Sequence, residues 1–220
     1  VIFLVSGGLL VKRFFDDKKT ENEFSDLQSM IDVAATPAPA EDSEPSNAAK
    51  FAALKDQNSD FMGWISIEGT SLDFPVMYAP NNKDYYLKHD FKHQYSDYGV
   101  PYLDEKMTIG ANAQSNNLIV YGHNMKNGSM FRTLHNYSDR EFFDNNRDIT
   151  IYMPDKILHY TIFAAYLYDS RHLMLSFDFK DPDVFRAYLD SVRNIRDMNA
   201  FVDTDIPVTE EDKIITLSTC

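Results

Sequence analysis

The sequence contains one cysteine in 220 residues, Cys220, at its last position. An intrachain disulfide framework is therefore excluded, and the thiol count alone does not say whether the compartment is reducing or oxidising. Positive charge is also scarce, with 21 Lys and Arg against 34 Asp and Glu and a formal net charge of −13. Such a surface repels a phosphate backbone, so nucleic acid is not an expected partner. There is no Gly-rich phosphate loop and no internal repeat. The histidines show no His-x-x-x-His or carboxylate spacing that would specify a metal site. Long apolar runs are missing too: Val1 to Val11 is uncharged but falls short of the roughly 20 residues a helix needs to cross a bilayer.

What remains is the composition of a folded domain, 44% hydrophobic and 14% aromatic, in a chain long enough for one sizeable core with appendages. Val1 to Val11, followed by Lys12 and Arg13, fits the distal half of a signal anchor, so 1–11 is expected to be an anchor remnant rather than a short buried helix. Phe24, Leu27, Met30 and Ile31 recur at helical spacing and predict an amphipathic helix leading away from it. Ala34 to Ala49, with Pro37, Pro39 and Pro45, has no apolar periodicity and reads as a linker. The expected division is thus 1–11, a helix and linker over 12–49, and a folded domain over 50–220.

Within that domain, a short helix bearing Phe51 and Leu54 precedes a hairpin in which Gly69-Thr70 joins Trp64–Ile67 to Leu72–Val76. Asn82 to Lys88 is expected to form a helical turn. Further strands are expected at Val100–Leu103, Leu118–Tyr121, Ile149–Met153 and Ile157–Tyr168, the last two joined by Pro154-Asp155. Ser138 to Glu141 has capping-box spacing for a short helix carrying Phe142 and Phe143. Asp181-Pro182 opens the clearest helix, with Phe185, Tyr188, Leu189, Val192 and Ile195 on one face. A buried strand is expected over Lys213 to Cys220, with the lone thiol at its end. Many short strands with one inserted helix imply a mainly β fold with α decorations, a closed or nearly closed barrel.

A lone cysteine is ordinarily a small buried apolar residue, its thiol inert near neutrality. The question is whether the chain supplies it with a partner. His89, His93, His135, His159 and His172 sit in ordinary polar settings, whereas His123 follows the strand Leu118–Tyr121 through Gly122. That places an imidazole just past a strand end, rigidly held yet open to a ligand.

The segments Tyr-Gly-His-Asn-Met around His123 and Thr-Leu-Ser-Thr-Cys ending at Cys220, 97 residues apart, resemble the signature of sortases, specifically of class B. The likeness extends over about Phe51 to Cys220, including Gly63-Trp64-Ile65, Gly69-Thr70, Phe74-Pro75-Val76, Tyr85-Tyr86-Leu87, Asp90-Phe91 and Met130-Phe131. The resemblance implies a sortase-type barrel and a membrane-tethered cysteine transpeptidase on the outer face of a Gram-positive membrane. It implies cleavage of an Asn-Pro-x-Thr-x type sorting signal in a secreted protein and transfer to an amine of the cell-wall precursor. Cys220 would be the nucleophile and His123 the general acid, later the base, with no metal and no organic cofactor required. Ser218 and Thr219 are implied substrate-binding residues; Ser218 shares the side-chain parity of Cys220 and would orient substrate or simply serve strand pairing. Leu87 is similar to a residue lining the apolar side of the substrate groove.

Sortases also carry an arginine on the strand after the cysteine. Arg171, Arg186, Arg193 and Arg196 all precede Cys220 and none matches that motif, so the expectation is a fragment cut at both ends that omits the final barrel strand. The alternative is a sortase-like domain that binds sorting signals or wall material without turnover. A papain-like hydrolase is disfavoured, because there the cysteine precedes the histidine.

Overall fold

The computed structural model describes residues 2–31, 45–110, 113–169 and 173–219. The chain divides into two compact units, residues 1–59 and 60–220.

In the first unit, α1 (Ile2–Met30) is one helix spanning both the apolar start and the amphipathic segment, and α2 (Pro45–Gln57) follows. Leu27 and Ile31 are buried, and Gln57 Nε2 reaches Met30 Sδ at 3.7 Å. Residues 45–49, expected in the linker, belong instead to the first turns of α2. Proline is compatible there because its missing N–H would have no intrahelical acceptor. Residues 34–44 of the expected linker, and Val1 of the expected anchor remnant, lie outside the described residues. Among the described residues no helix is long and apolar enough to cross a membrane.

The second unit is built on a seven-stranded sheet. In chain order it has β1 (Phe61–Ile67), β2 (Asp73–Met77), a 3-10 turn (Tyr85–Leu87), β3 (Tyr102–Leu103), β4 (Asn117–Tyr121) and a 3-10 segment (Phe131–Ser138). There follow α3 (Arg140–Asn145), β5 (Asp148–Tyr152), β6 (Ile157–Thr161), β7 (Ala164–Ala165), α4 (Leu173–Ser176), α5 (Pro182–Arg193), β8 (Phe201–Val202) and β9 (Ile214–Ser218). The strand order β6-β5-β1-β2-β3-β4-β9 curls into a nearly closed barrel, with β7 and β8 paired separately. The β1–β2 hairpin forms about the expected Gly69-Thr70 turn. Trp64, Ile65, Val76, Leu118, Ile119, Val120 and Ile151 are each 0% exposed, so β1 and β4, where such residues are adjacent, are buried on both faces.

Three local expectations are corrected. The strand expected over Ile157–Tyr168 breaks after Thr161, because Arg147 donates through Nε and Nη2 to the Ile162 carbonyl at 2.9 and 2.8 Å. The chain then leaves β5 and pairs with β8, Asp203 N–H donating to Phe163 O at 2.7 Å. The cap of α3 is Asp139 rather than Ser138: the Asp139 carboxylate accepts from Phe142 N at 2.9 Å, while the Ser138 hydroxyl turns back to His135 O. A carboxylate at the N-cap satisfies an orphan amide and complements the helix dipole. Finally, β9 is buried only at Ile214 and half-buried from Ile215 to Ser218. At α5 the sequence reading holds: Asp181 caps through Asp183 N and Val184 N, Pro182 is the first residue, and Phe185, Tyr188, Leu189 and Val192 are buried. Ile195 falls beyond its end.

Candidate active site

The site is assembled by one parallel ladder. β4 and β9 pair from Asn117 with Ile214 to Tyr121 with Ser218, and Gly122 N–H extends the ladder to Ser218 O at 3.1 Å. Every pair in this register is separated by 97 residues, which is also the spacing of His123 from Cys220 in the sequence. The apolar run Leu118-Ile119-Val120, β-branched at Ile119 and Val120, drives β4 into the core, and Tyr121 is the first residue to emerge. Cys220 and Arg171 lie outside the described residues.

Beyond β4 the chain turns through Gly122. A side chain here would sit 2.5 to 2.7 Å from the ring of Phe131, so only glycine allows the loop to close. The loop returns through a bridge between Asn124 and Met130, and Phe131 N–H donates to His123 O at 2.9 Å. Phe131 and Met130 are each 0% exposed, so the base of the histidine loop is pinned in the core while His123 stays half-buried at its rim.

His123 Nε2 lies 2.7 Å from the Leu87 carbonyl oxygen. A carbonyl only accepts, so Nε2 carries the hydrogen and Nδ1 is the nitrogen left to take up or release a proton. Leu87, expected to line a groove, thus touches the imidazole through its main chain, and its side chain is half-buried. Sequence reasoning did not anticipate this contact, because main-chain acceptors have no residue-type signature.

The 3-10 turn that carries Leu87 is itself tied down. Tyr86 is 1% exposed and donates its hydroxyl to Asp60 at 2.9 Å; its carbonyl accepts from Val100 N at 3.0 Å. Gly99, at φ +58, packs so closely that a Cβ would lie 2.3 Å from Tyr86 O and 2.9 Å from Leu87 O. At the start of the turn, Asp84 accepts from the Tyr102 hydroxyl at 3.0 Å. Tyr121 donates to Asp104 at 3.1 Å, and the Tyr102 and Tyr121 rings lie 5.5 Å apart. Burial, reinforced by the adjacent carboxylates, pushes both phenols well above their ordinary range and keeps them protonated donors.

On the β9 side, Ser218 and Thr219 are half-buried, and the Ser218 carbonyl is taken by Gly122. The Thr219 hydroxyl is buried with no hydrogen-bond partner among the described residues. Beneath the strand, Thr216 Oγ1 donates to Asn117 Oδ1 at 2.9 Å. Arg186 is engaged by Asp183 and Glu210, Arg193 by Ile206 O, and Arg196 by Arg193 O and Ile195 O, on or after α5. One arginine the sequence reading passed over, Arg132, follows Phe131 and reaches Asn124 Oδ1 at 3.4 Å.

The arrangement of an imidazole at a barrel rim, beside the strand that leads to the single thiol, suits nucleophilic acyl transfer. Comparison with known proteins agrees. A sortase domain model matches residues 65–220. Sortase B of Staphylococcus aureus is 27% identical over 220 residues, covering 100% of this chain and 85% of its own length. Sortase B of Listeria monocytogenes is 29% identical over 227 residues with the same coverage, 100% and 85%. The structure of the S. aureus sortase B-substrate complex superposes with a TM-score of 0.78 at 25% identity, covering 94% of this chain and 90% of that one. The chain belongs to the sortase family and is a class B sortase, a cysteine transpeptidase.

Proposed function

We propose that this sortase is tethered to the outer face of a Gram-positive membrane, cleaves an Asn-Pro-x-Thr-x type sorting signal and joins the released carboxyl end to a cell-wall amine. The observation that carries the reading is the β4–β9 ladder, in which Tyr121 pairs with Ser218, each two residues before His123 and Cys220 in the chain.

The Cys220 thiolate attacks the threonine carbonyl carbon; a sulfur–carbon bond forms, the carbon–nitrogen bond breaks, and the leaving amine takes the proton held at His123 Nδ1. In the second half, the incoming amine attacks the thioester carbonyl, its proton passes to His123, and the thiolate leaves. A neighbouring imidazolium favours the thiolate, which makes the pair more reactive than either group alone. In this reading Ser218 and Thr219 hydrogen-bond the peptide, a role supported for Thr219 by a hydroxyl that has no partner among the described residues. The Leu87 side chain lines the apolar wall. The S. aureus relative determined with substrate supports a sorting-signal peptide as the ligand class.

The membrane tether is supported by the uncharged Val1 to Val11 and by Val11, Phe14 and Phe15, which are 55%, 60% and 65% exposed on α1 beside Lys12 and Arg13. Protease shaving of intact cells checks it: the domain should be cut while the cells remain closed. For the chemistry, a fluorogenic Asn-Pro-x-Thr-x peptide is incubated with wild type, Cys220→Ala and His123→Ala. Both variants should lose at least about a hundredfold in kcat, and cleavage persisting in Cys220→Ala overturns the mechanism.

A further inference from the structure

The imidazole of His123 is held by an acceptor that is not part of any side chain, so the placement of that acceptor must come from somewhere else in the fold. The Leu87 carbonyl belongs to a three-residue 3-10 turn, and a turn of that length has too few internal hydrogen bonds to fix its own orientation. Its surroundings supply the restraint. Leu87 N–H donates to Asp84 O at 3.1 Å, and Asp84 sits at φ 53, a left-handed conformation that carries a cost for any residue but glycine. The Asp84 carboxylate accepts from the Tyr102 hydroxyl at 3.0 Å. Tyr102 in turn pairs across β3 and β4 with Tyr121, two residues before His123.

These contacts form a closed circuit. It runs from His123 Nε2 to the Leu87 carbonyl, through the turn to Asp84, across to Tyr102, through the strand pair to Tyr121, and along the chain to His123 again. Gly99 packs so close to the same carbonyl that a Cβ there would lie 2.9 Å from its oxygen. A tyrosine that merely filled space on β3 would have no reason to reach an exposed residue in a left-handed turn.

We propose that Asp84 and Tyr102 are positioning residues for His123: their hydrogen bond orients the 3-10 turn so that the Leu87 carbonyl holds Nε2–H and presents Nδ1 to the reacting groups. The inference rests on the reading of His123 as the general acid and base. Neither residue touches substrate; each acts through the carbonyl.

The test combines steady-state kinetics with NMR of protein labelled with 15N at histidine. In wild type the His123 Nε2–H resonance should be observable and exchange slowly with water, as expected of a hydrogen held on the Leu87 carbonyl. Tyr102→Phe keeps the ring and removes the hydroxyl. It should lower kcat about tenfold with KM within about twofold, and accelerate exchange of the Nε2–H by about tenfold. Asp84→Ala should behave alike, and Asp84→Asn, which keeps an acceptor oxygen and tolerates positive φ, should recover most of both losses. Unchanged kcat and unchanged exchange in Tyr102→Phe overturn the proposal, as does a lowered melting temperature with the Nε2–H undisturbed. If Tyr102→Phe does not fold, the wild-type spectrum decides, since an Nε2–H that exchanges freely leaves the carbonyl no holding role. Full turnover in His123→Ala would instead overturn the acid–base reading, a result independent of the exchange rate.

Discussion

At the residue scale, the site depends on two glycines whose missing side chains do different things. Gly122 leaves room for the Phe131 ring, and Gly99 leaves room for two carbonyls at a positive φ. Gly122→Ala forces either the ring or the strand end to move, a small-to-large change in a packed region. We expect about 1–3 kcal/mol of destabilisation by urea unfolding, with a larger relative loss of turnover, because the displaced residue is the neighbour of His123. Turnover and stability falling in the same proportion would argue that the loop is only structural. Glycine beside a histidine is legible in the sequence; the ring that makes it obligatory is not, because Phe131 approaches from the far side of the loop.

At the scale of elements, the β4–β9 ladder of the site and the break between β6 and β7 are each held by polar contacts. Asn117 is 0% exposed; its Oδ1 accepts from Thr216, and its Nδ2 has no partner among the described residues. Thr216→Val keeps the shape of the side chain but removes the donor. It should cost about 1–3 kcal/mol in thermal or denaturant unfolding, the penalty of a buried polar group left unpaired. The break between β6 and β7 is guarded by Arg147, which pairs with Asp203 at 2.7 Å while bonding the Ile162 carbonyl. The side-chain hydrogen bond from Arg147, ahead of backbone amides, holds the Asp203 carboxyl below the usual range. A depressed folded value contributes stability that is present above the unfolded value of about 3.9 and is lost as pH falls through the folded one. The stability difference between wild type and Asp203→Asn should therefore be largest near neutrality and shrink as pH is lowered toward 3 (about the range set by that reference value). A difference that grows on acidification would show that the pair is not what stabilises this corner.

At the scale of the molecule, the charge balance governs solution behaviour more than fold. With a formal charge of −13, like charges repel across the compact state, and added salt screens them over a Debye length of about 10 Å at 0.1 M. The melting temperature should rise by a few degrees between roughly 10 mM and 300 mM sodium chloride. A fall over that range would mean that attractive pairs such as Arg186 with Glu210 outweigh the net repulsion. The same charge leaves the protein a poor ligand for polyanions, consistent with a peptide substrate.

The sequence by itself determined the class of fold, the family and the chemistry. Alternating strands, the Asp181-Pro182 helix start and the Gly-His and Thr-Cys segments are local patterns, written in side-chain types a few residues apart. It also pointed to Leu87, though as a side chain. Only the tertiary structure decided that β4 and β9 are neighbours in a register of 97, that the Ile157 strand breaks at Arg147, and that a carbonyl holds the histidine. The reason is physical: strand neighbours are chosen by closure of the whole barrel, and main-chain acceptors are chemically alike at every residue, so neither leaves a mark in composition or periodicity. The link from Asp84 to Tyr102 belongs to the same class, joining 18 residues of chain through a turn with no periodic signal.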